Sequence, residues 1–491
     1  MVSGQGLVAS RKTKERNSKI DNRQFPAPYP VTRVPYPVLV GGMQGKRRQA
    51  PSPQALPPYP LCFIARAAGG PRAIIHVKSL LYGPKDLAMF DYIKIEGFRS
   101  FKKVELEMPR LAVLIGPNGG GKSNFLDLLM LLADAGNAQL MNGVLGRGGF
   151  RNIAFGFDPS LEIRIKLRFK EVLPPWKLER VPRFGDKNLD IIFGLAARSV
   201  GSAHQITDEL VRQESATDAS QSADIVSRGP MGAVFRVPGE PGPLTDQRPV
   251  VFPTELVISQ VKDPTKYPAA SAVLNELEGW TFYGDIDVGP ESLVCQPALL
   301  RPATRLLPSG SNLSSAFYII QQDYPDDWGE ILEIVHTAYP DFVRLTVRAE
   351  GGDGKVLLRW FERPHEKEGM SPNLLSDGTL KLLCLIAILK SPDPPPLICI
   401  DEPELGLHPD WIKLVAELLQ DAAMRTQVIV ATHSPHIVAK LEPEQLIVVE
   451  KEDGQTLMKQ FSREDQDSLA KWLKDFNLAE LWLAGHFGGR P

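Results

Sequence analysis

The sequence is poor in cysteine, in long apolar runs and in heptad repeats, and each shortage excludes a class of protein. Its four cysteines show no CxxC spacing, and two of them, Cys384 and Cys399, lie inside apolar runs. This pattern predicts a reducing cytoplasmic location and no structural zinc. No stretch of about 18 or more apolar residues occurs, so we expect no membrane-spanning helix. The missing heptads exclude a long coiled coil.

The composition is that of a globular protein with unevenly distributed charge. Of 491 residues, 43% are hydrophobic and 23% are charged, which is enough for a sizeable core. Residues 1–88 hold 14 Lys/Arg, 3 Asp/Glu and 12 prolines. We expect this leader to be disordered, or not to be translated if Met89 is the true start. A basic arm for nucleic acid is the alternative, and no tripartite targeting peptide is visible.

From Met89 the pattern changes to that of regular strands. FDYIKIEGF and RSFKKVELEM are typical of a β-hairpin, and RLAVLIG is typical of a strand buried on both faces. The next segment, GPNGGGKS, fits G-x-x-x-x-G-K-[ST] between a strand and a helix. Its amides would hold a β-phosphate, Lys122 would reach the β- and γ-phosphates, and Ser123 would bind Mg²⁺. The residues predicted to bind nucleotide here are Gly116, Pro117, Asn118, Gly119, Gly120, Gly121, Lys122, Ser123 and Asn124.

Two apolar strands in the second half deliver polar side chains at their carboxyl ends. LICIDEPELGLHP places Asp401 beside Glu402, so that one carboxylate can hold Mg²⁺ while the other orients the attacking water. TQVIVATHSPH leads to His433, which either caps a core strand or contacts the γ-phosphate or the attacking water. Between these motifs and the first half, LLSDGTLKLLCLIAIL is a polar turn opening into an apolar helix. The first amides of such a helix can hold an anion.

In this order, GPNGGGKS, LLSDGT, LICIDEPELGLHP and VIVATHSP resemble the motifs of the ATP-binding-cassette (ABC) ATPases. The chain is similar to the soluble branch that contains the RecF, Rad50 and SMC proteins, and to small AAA-type ATPases of bacteria without a coiled coil. The resemblance covers roughly residues 89–491. It implies an α/β P-loop NTPase fold with an N-terminal antiparallel β lobe and an inserted lid.

The resemblance also implies a mechanism with ATP and Mg²⁺ as cofactors. Catalysis would depend on Lys122 and on the carboxylate of Glu402, with Asp401 binding Mg²⁺ and His433 acting as the switch histidine. The loop Glu404–Pro409 would communicate between two sites.

A homodimer is implied as well, in which Ser376 and Gly378 of one subunit close over the ATP held by the other. Arg99 resembles the arginine that reaches the nucleotide from the first hairpin. In the turn LSDGT, Asp377 departs from the commoner glycine of LSGGQ. The glutamine that senses Mg²⁺ in this family is not located, and Gln260 and Gln139 are the candidates.

The chain divides into four expected parts: the leader 1–88, a first ATPase half at 89–175, an inserted lid or loop region at 176–310, and a second half at 311–491. Ser376 lies 254 positions after Lys122, a distance too long for a transporter cassette and too short for long arms. Residues 200–250 are rich in Ser, Gly, Asp and Pro, which predicts a mobile loop. The 58 residues after His433 leave no room for a C-terminal nuclease. A short tail helix at 481–483 either packs on the core or docks a partner.

Two basic strands bear on the substrate. LEIRIKLRFK alternates apolar residues with a stripe formed by Arg164, Lys166, Arg168 and Lys170. Such a stripe either follows the phosphate backbone of double-stranded DNA or is a solvated edge kept from aggregating by its charges. DFVRLTVRAEGGDGKVLLRWF predicts a hairpin with Arg344, Arg348 and Arg359, to which the same alternatives apply.

The sequence thus predicts a dimeric ATPase acting in DNA repair or in defence against foreign DNA. The role in DNA metabolism comes from the resemblance, because no base-reading motif occurs. The alternative is an ATP-gated regulator that holds or releases a separately encoded effector, such as a nuclease or toxin, without contacting DNA.

Overall fold

The computed structural model describes most of the chain from Met89 onward. The described residues are 89–170, 189–201, 203–215, 222–229, 232–236, 246–248, 252–260, 263–264, 267–350, 353–462, 465, 469, 472–473 and 475–487. The predictions for the leader 1–88 concern residues outside these ranges.

The strands of the described residues form three sheets. In chain order the strands are β1 (Met89–Phe98), β2 (Phe101–Glu107), β3 (Leu111–Ile115), β4 (Ile163–Lys170), β5 (Leu189–Val200), β6 (Ala203–Ser215), β7 (Ala223–Gly229), β8 (Gly232–Phe235), β9 (Asp246–Arg248), β10 (Thr281–Tyr283), β11 (Ala298–Leu299), β12 (Phe342–Glu350), β13 (Lys355–Glu362), β14 (Leu397–Asp401), β15 (Gln427–Ala431), β16 (Leu446–Glu452) and β17 (Gln455–Gln460).

Helices fill the connections between strands. The α-helices are α1 (Lys122–Gly136), α2 (Leu140–Gly146), α3 (Phe150–Ile153), α4 (Pro268–Gly279), α5 (Leu313–Asp323), α6 (Pro325–Ala338), α7 (Asp377–Leu389), α8 (Pro409–Ala423), α9 (Pro435–Val438) and α10 (Leu478–Leu483). Short 3₁₀ helices span Phe155–Phe157, Ile258–Gln260, Leu293–Cys295, Arg363–His365, Pro372–Leu374 and Pro443–Gln445. None of the described helices has the length and apolarity needed to cross a membrane.

The central sheet has the strand order β10-β14-β15-β3-β16-β17, and its neighbours run parallel except for the β16–β17 hairpin. All five residues of β3 are buried. Ala112 and Leu114 join the core on one face of the sheet, whereas Val113 and Ile115 join the core on the other. A strand covered on both faces must be continuously apolar, so the prediction from RLAVLIG is confirmed. Because neighbouring parallel strands end at the same edge, the segments after β3, β14 and β15 meet there.

The N-terminal lobe is an antiparallel sheet with the order β2-β1-β4-β5-β6-β7-β8-β9. β1 and β2 form the predicted hairpin, which closes with Phe98 opposite Phe101. In β4 the apolar residues are buried and the basic residues are exposed or half-buried, as the alternation predicts. This lobe and the central sheet give the α/β P-loop NTPase fold expected from the sequence.

The prediction of a mobile loop at 200–250 is wrong for the described residues of that segment. They form β6 to β9 and extend the lobe sheet. Ile206, Val211, Val226 and Phe235 are buried at nearly zero exposure, so the apolar alternation outweighed the Ser, Gly, Asp and Pro content. Residues 202, 216–221, 230–231, 237–245 and 249–250 of this segment lie outside the described part. The division of the chain at 175 and 310 stays a prediction. One strand of the expected lid region 176–310, β10, pairs with β14 of the central sheet.

The third sheet has the order β11-β13-β12, and its β12–β13 hairpin confirms the prediction from DFVRLTVRAEGGDGKVLLRWF. The first two glycines of the turn lie outside the described residues. One face of the hairpin packs on α5 and α6.

In the tail, Leu478 and Leu481 are buried while Leu483 is 70% exposed, so α10 packs on the core with one side.

Candidate functional site

The phosphate loop, residues 116–121, connects β3 to α1 and is shaped by close backbone contacts. Gly116 has φ 150° and Gly121 has φ 120°, values that favour glycine. A Cβ atom at Gly116 would overlap the carbonyl oxygen of Val449, and one at Gly121 would overlap the side chain of Thr456. Glycine is therefore required at both positions, because the β16–β17 hairpin lies directly against the loop.

Lys122 is the first residue of α1 and directly follows this loop. Its Nζ donates hydrogen bonds to the carbonyl oxygens of Gly116, at 2.8 Å, and Pro117, at 3.2 Å. The residue is only 6% exposed, and burial lowers the pKa of its ammonium group. A desolvated cation at a helix N-terminus, whose hydrogen bonds among the described residues go to neutral carbonyls, is suited to bind phosphate oxygens.

Two carboxylates follow β14 next to the phosphate loop. The Oδ2 atom of Asp401 accepts a hydrogen bond from the Ser123 hydroxyl at 3.3 Å, which joins the two predicted metal ligands across 278 positions of sequence. Burial, and then the negative charge of Glu402, raise the pKa of Asp401. A divalent cation would relieve this repulsion, and hydroxyl and carboxylate oxygens are ligands that Mg²⁺ prefers, so these residues fit the ion.

Glu402 has a strained backbone with φ 50°, which is rare for a residue with a side chain. Its N–H donates to the carbonyl oxygen of Ala431 at 2.8 Å, so β15 holds the strained residue in place. Its Oε1 atom lies 3.9 Å from Nε2 of His433. The predicted catalytic carboxylate and the predicted switch histidine are thus neighbours at the same sheet edge.

Glu404 joins the loops that follow β14 and β15. Its Oε1 atom accepts hydrogen bonds from the Thr432 hydroxyl, at 2.7 Å, and from the backbone N–H of His433, at 2.8 Å. Its other oxygen, Oε2, is buried without a hydrogen-bond partner among the described residues. This carboxylate therefore fixes the backbone of His433 relative to Glu402.

The turn at Ser376 begins α7 as a capped helix. The Ser376 hydroxyl accepts the backbone N–H of Thr379 at 3.2 Å and lies 2.8 Å from the Thr379 hydroxyl. A Cβ atom at Gly378 would lie 3.0 Å from the carbonyl oxygen of Gly406, so the turn packs on the loop Glu404–Pro409. In the described part of the chain, no hydrogen bond or ion pair joins residues 376–379 to the phosphate loop.

Arg99, at the β1–β2 turn, lies against the first turns of α1 and has φ 46°. Its guanidinium donates to Oδ1 of Asn124 at 3.1 Å and pairs with Oδ2 of Asp127 at 2.5 Å. The Nδ2 atom of Asn124 in turn donates to the Ser100 hydroxyl at 2.8 Å. The predicted nucleotide-binding residues Arg99 and Asn124 therefore lie together, one helical turn beyond the phosphate loop.

Thr456 is a site residue that the sequence did not reveal. Its hydroxyl contacts the carbonyl oxygen of Gly120 at 2.6 Å and the Ser100 hydroxyl at 2.8 Å, and it is 1% exposed. It holds the phosphate loop from the β16–β17 hairpin. No local pattern marks it, because TLMKQ reads as an ordinary strand and the contact spans 336 positions.

The glutamine candidates bond locally. Gln260 donates to the carbonyl oxygen of Leu256 at 3.2 Å, and Gln139 accepts from Asn142 at 2.6 Å. Neither forms a described hydrogen bond with Ser123 or Asp401.

The basic stripe of β4 is largely neutralised within the lobe. Arg164 pairs with Glu162 at 2.7 Å, whereas Arg168 and Lys170 both pair with Asp91, at 2.8 and 2.6 Å. Partly exposed ion pairs of this kind leave little positive potential for another anion.

The loops at the edge of the central sheet thus define a P-loop nucleotide-binding site. Two family models match the chain: "AAA ATPase domain" over residues 89–220, and "AAA domain, putative AbiEii toxin, Type IV TA system" over residues 292–439. Together with the fold, these two partial matches support a P-loop ATPase that resembles the ABC-type ATPases of the RecF, Rad50 and SMC branch.

Several solved structures resemble this chain. One is the SmcHead bound to the C-winged helix domain of ScpA, with 15% identity over 76% of this chain and 98% of that chain and a TM-score of 0.49. Another is the Smc head domain with an extended coiled coil bound to the C-terminal domain of ScpA from Pyrococcus furiosus, with 13% identity, 79% and 100% coverage and a TM-score of 0.46. The SMC head domain from Thermotoga maritima has 15% identity over 76% of this chain and 99% of that chain, with a TM-score of 0.33. No curated protein matches the chain significantly.

Proposed function

We propose that the protein is a Mg²⁺-dependent ATPase that works as an ATP-gated dimer. One observation carries the proposal: the side chains predicted to bind phosphate, Mg²⁺ and the attacking water lie at one sheet edge, while the capped turn at Ser376 in the same chain forms no described bond with the phosphate loop. A second copy can supply that turn. Two surfaces used head to tail close under two-fold symmetry, so two ATP molecules would lie between the subunits.

The residues divide the chemistry of phosphoryl transfer between them. Lys122 and the amides of the phosphate loop bind and orient the phosphates. Ser123 and Asp401 would hold Mg²⁺, which when bound supplies positive charge that stabilises the phosphate oxygens. Glu402, 45% exposed and aligned by its strained backbone, accepts a proton from water, and His433 beside it contacts the γ-phosphate.

We place this activity in DNA metabolism, either in repair or in defence against foreign DNA. The name of the second matching model, which mentions a toxin–antitoxin system, supports defence. The same name favours a second candidate, an ATP-gated regulator of a separately encoded nuclease or toxin. Turnover stimulated by DNA would favour the first role, and co-purification of a small protein encoded by a neighbouring gene would favour the second.

The dimer is tested with Glu402→Gln, which keeps the shape of the site but removes the proton acceptor. We expect this variant to bind ATP without hydrolysing it and to sediment as a dimer with ATP and Mg²⁺. Lys122→Ala is the matched control and should stay monomeric, because it cannot hold the phosphates. A Glu402→Gln protein that is monomeric at saturating ATP would refute the two-subunit site.

A further inference from the structure

Two strands of the molecule expose rows of cations, and they differ in their counter-charges. The cations of β4 mostly bind carboxylates of the lobe, as described above. On β12, Arg344 and Arg348 are both exposed, and neither forms an ion pair in the part of the chain that the structure describes. The only hydrogen bond of Arg344 there is a long one, 3.5 Å, to the carbonyl oxygen of Glu366.

The outward face of the β12–β13 hairpin gathers these cations. The register places Arg344 opposite Phe361, Thr346 opposite Arg359, and Arg348 opposite Leu357. Residues of the other parity, among them Leu345 and Leu358, are buried in the core, so the arginines point away from it. Arg359 adds a third positive charge to the same face.

The two guanidinium groups converge instead of spreading apart. Their residues lie about 13 Å apart along the strand at the usual rise. Yet the Cζ atoms of Arg344 and Arg348 lie 4.1 and 5.8 Å from the centroid of one ring, that of Phe361. Two cations brought over one ring repel each other unless an anion joins them, so this arrangement favours an anionic ligand.

The platform under the cations is fixed. Phe361 is 1% exposed, and on another side a Cβ atom at Gly369 would lie 2.5 Å from its ring. Between the two arginines, the Thr346 hydroxyl is buried without a hydrogen-bond partner among the described residues. A guanidinium that lies over a ring face still has N–H donors at its edges, and these match the paired oxygens of a phosphate.

We propose that this face, defined by Arg344, Thr346 and Arg348, binds the phosphodiester backbone of DNA. The proposal rests on the proposed role in DNA metabolism and moves the contact from β4 to β12. DNA is favoured over an acidic polypeptide because the apolar side chains of the face are covered, Leu357 being 7% exposed and Phe361 1%. A protein interface needs an exposed apolar centre, whereas contacts to a DNA backbone are made by charged groups.

The test compares two double variants that each remove two positive charges. Arg344→Gln with Arg348→Gln changes the proposed face, and Arg164→Gln with Lys166→Gln changes β4 as the matched control. Binding of labelled linear duplex DNA is followed by fluorescence anisotropy over a series of salt concentrations. We expect the β12 variant to bind roughly 10- to 100-fold more weakly at low salt, with the log–log salt slope reduced by about 2. The control should bind within about 2-fold of the wild type.

Thermal unfolding of each variant checks the fold, and DNA-free ATP turnover on the same preparation checks the nucleotide site. If both double variants weaken DNA binding equally, binding depends on total charge and the proposal is overturned. A β12 variant that binds DNA like the wild type would also overturn it. A wild-type protein that hydrolyses ATP but binds no DNA would overturn it while the ATPase stands. Binding of poly-L-glutamate but not DNA through Arg344 and Arg348 would assign the face to an acidic polypeptide instead.

Discussion

Replacing Glu404 by alanine should slow ATP hydrolysis much more than it weakens ATP binding. The carboxylate accepts two hydrogen bonds at one oxygen, from the Thr432 hydroxyl and the His433 amide. It touches neither the phosphate loop nor Lys122 through a described hydrogen bond. Its removal frees the loop that sets His433 at 3.9 Å from Glu402, whereas the phosphate-binding residues keep their own contacts.

The size of the effect follows from the strength of the lost bonds. Hydrogen bonds to a charged acceptor contribute about 1.5–3 kcal/mol each, and the low end applies because Glu404 is half-buried. If about half of the two contributions reaches the transition state, hydrolysis loses roughly 1.5 kcal/mol, or about 10-fold in kcat. Glu404→Gln keeps an oxygen acceptor, so its loss should be about 5-fold or less.

The assay is steady-state ATP turnover of both variants, with nucleotide affinity measured separately by a fluorescent ATP analogue. We expect kcat to fall in the order wild type, Glu404→Gln, Glu404→Ala, with affinity within about 3-fold throughout. A Glu404→Ala protein that turns over at the wild-type rate would refute the positioning role. Equal losses in affinity and turnover would show instead that the carboxylate supports the whole site.

Three further predictions concern the loop and its metal ligand. Thr456→Val removes the hydroxyl at Gly120 and should lower stability by about 1–2 kcal/mol and weaken ATP binding, whereas Thr456→Ser should keep both, as read by thermal unfolding with and without ATP. Gly116→Ala should abolish ATP binding because its Cβ would strike the backbone of the β16–β17 hairpin; Gly149→Ala, at another positive-φ glycine with open space around it, should bind ATP normally in a filter assay. The pKa of Asp401 is raised in the folded protein, so folding favours its protonated form, and the nucleotide-free protein should lose stability as the pH rises above the ordinary carboxyl range. Asp401→Asn should flatten this pH dependence in unfolding scans and should abolish hydrolysis.

The central fold and the carboxyl-edge motifs were predictable because local patterns carry them. Continuous apolar runs predict β3 and β14, and the spacing of the glycines predicts the phosphate loop. A carboxylate directly after a buried apolar strand is poorly explained as part of a solvated turn. Asp401 and Glu402 were therefore predictable as site residues from the sequence alone.

The remaining site residues depend on contacts that no local pattern encodes. Thr456 reaches the phosphate loop from a hairpin 336 positions later, and Glu404 acts through the fold of two loops. Residues 203–248 predict a loop because turn-forming residues dominate their composition, while the alternation of buried apolar residues in these strands is sparse. The two rows of cations are also ambiguous in sequence, since only the structure shows that Asp91 pairs with Arg168 and Lys170 of β4, whereas no described carboxylate pairs with Arg344 or Arg348 of β12.

The most direct test of the shared site is to mix two inactive variants. Lys122→Ala lacks a working phosphate loop, and Ser376→Arg blocks the turn that would meet the partner's ATP. If the site is built from two subunits, the mixed dimer contains one intact site, and an equal mixture should recover up to about a quarter of wild-type ATP turnover. A mixture no more active than its separate components, with both variants folded, would contradict a site shared between two copies.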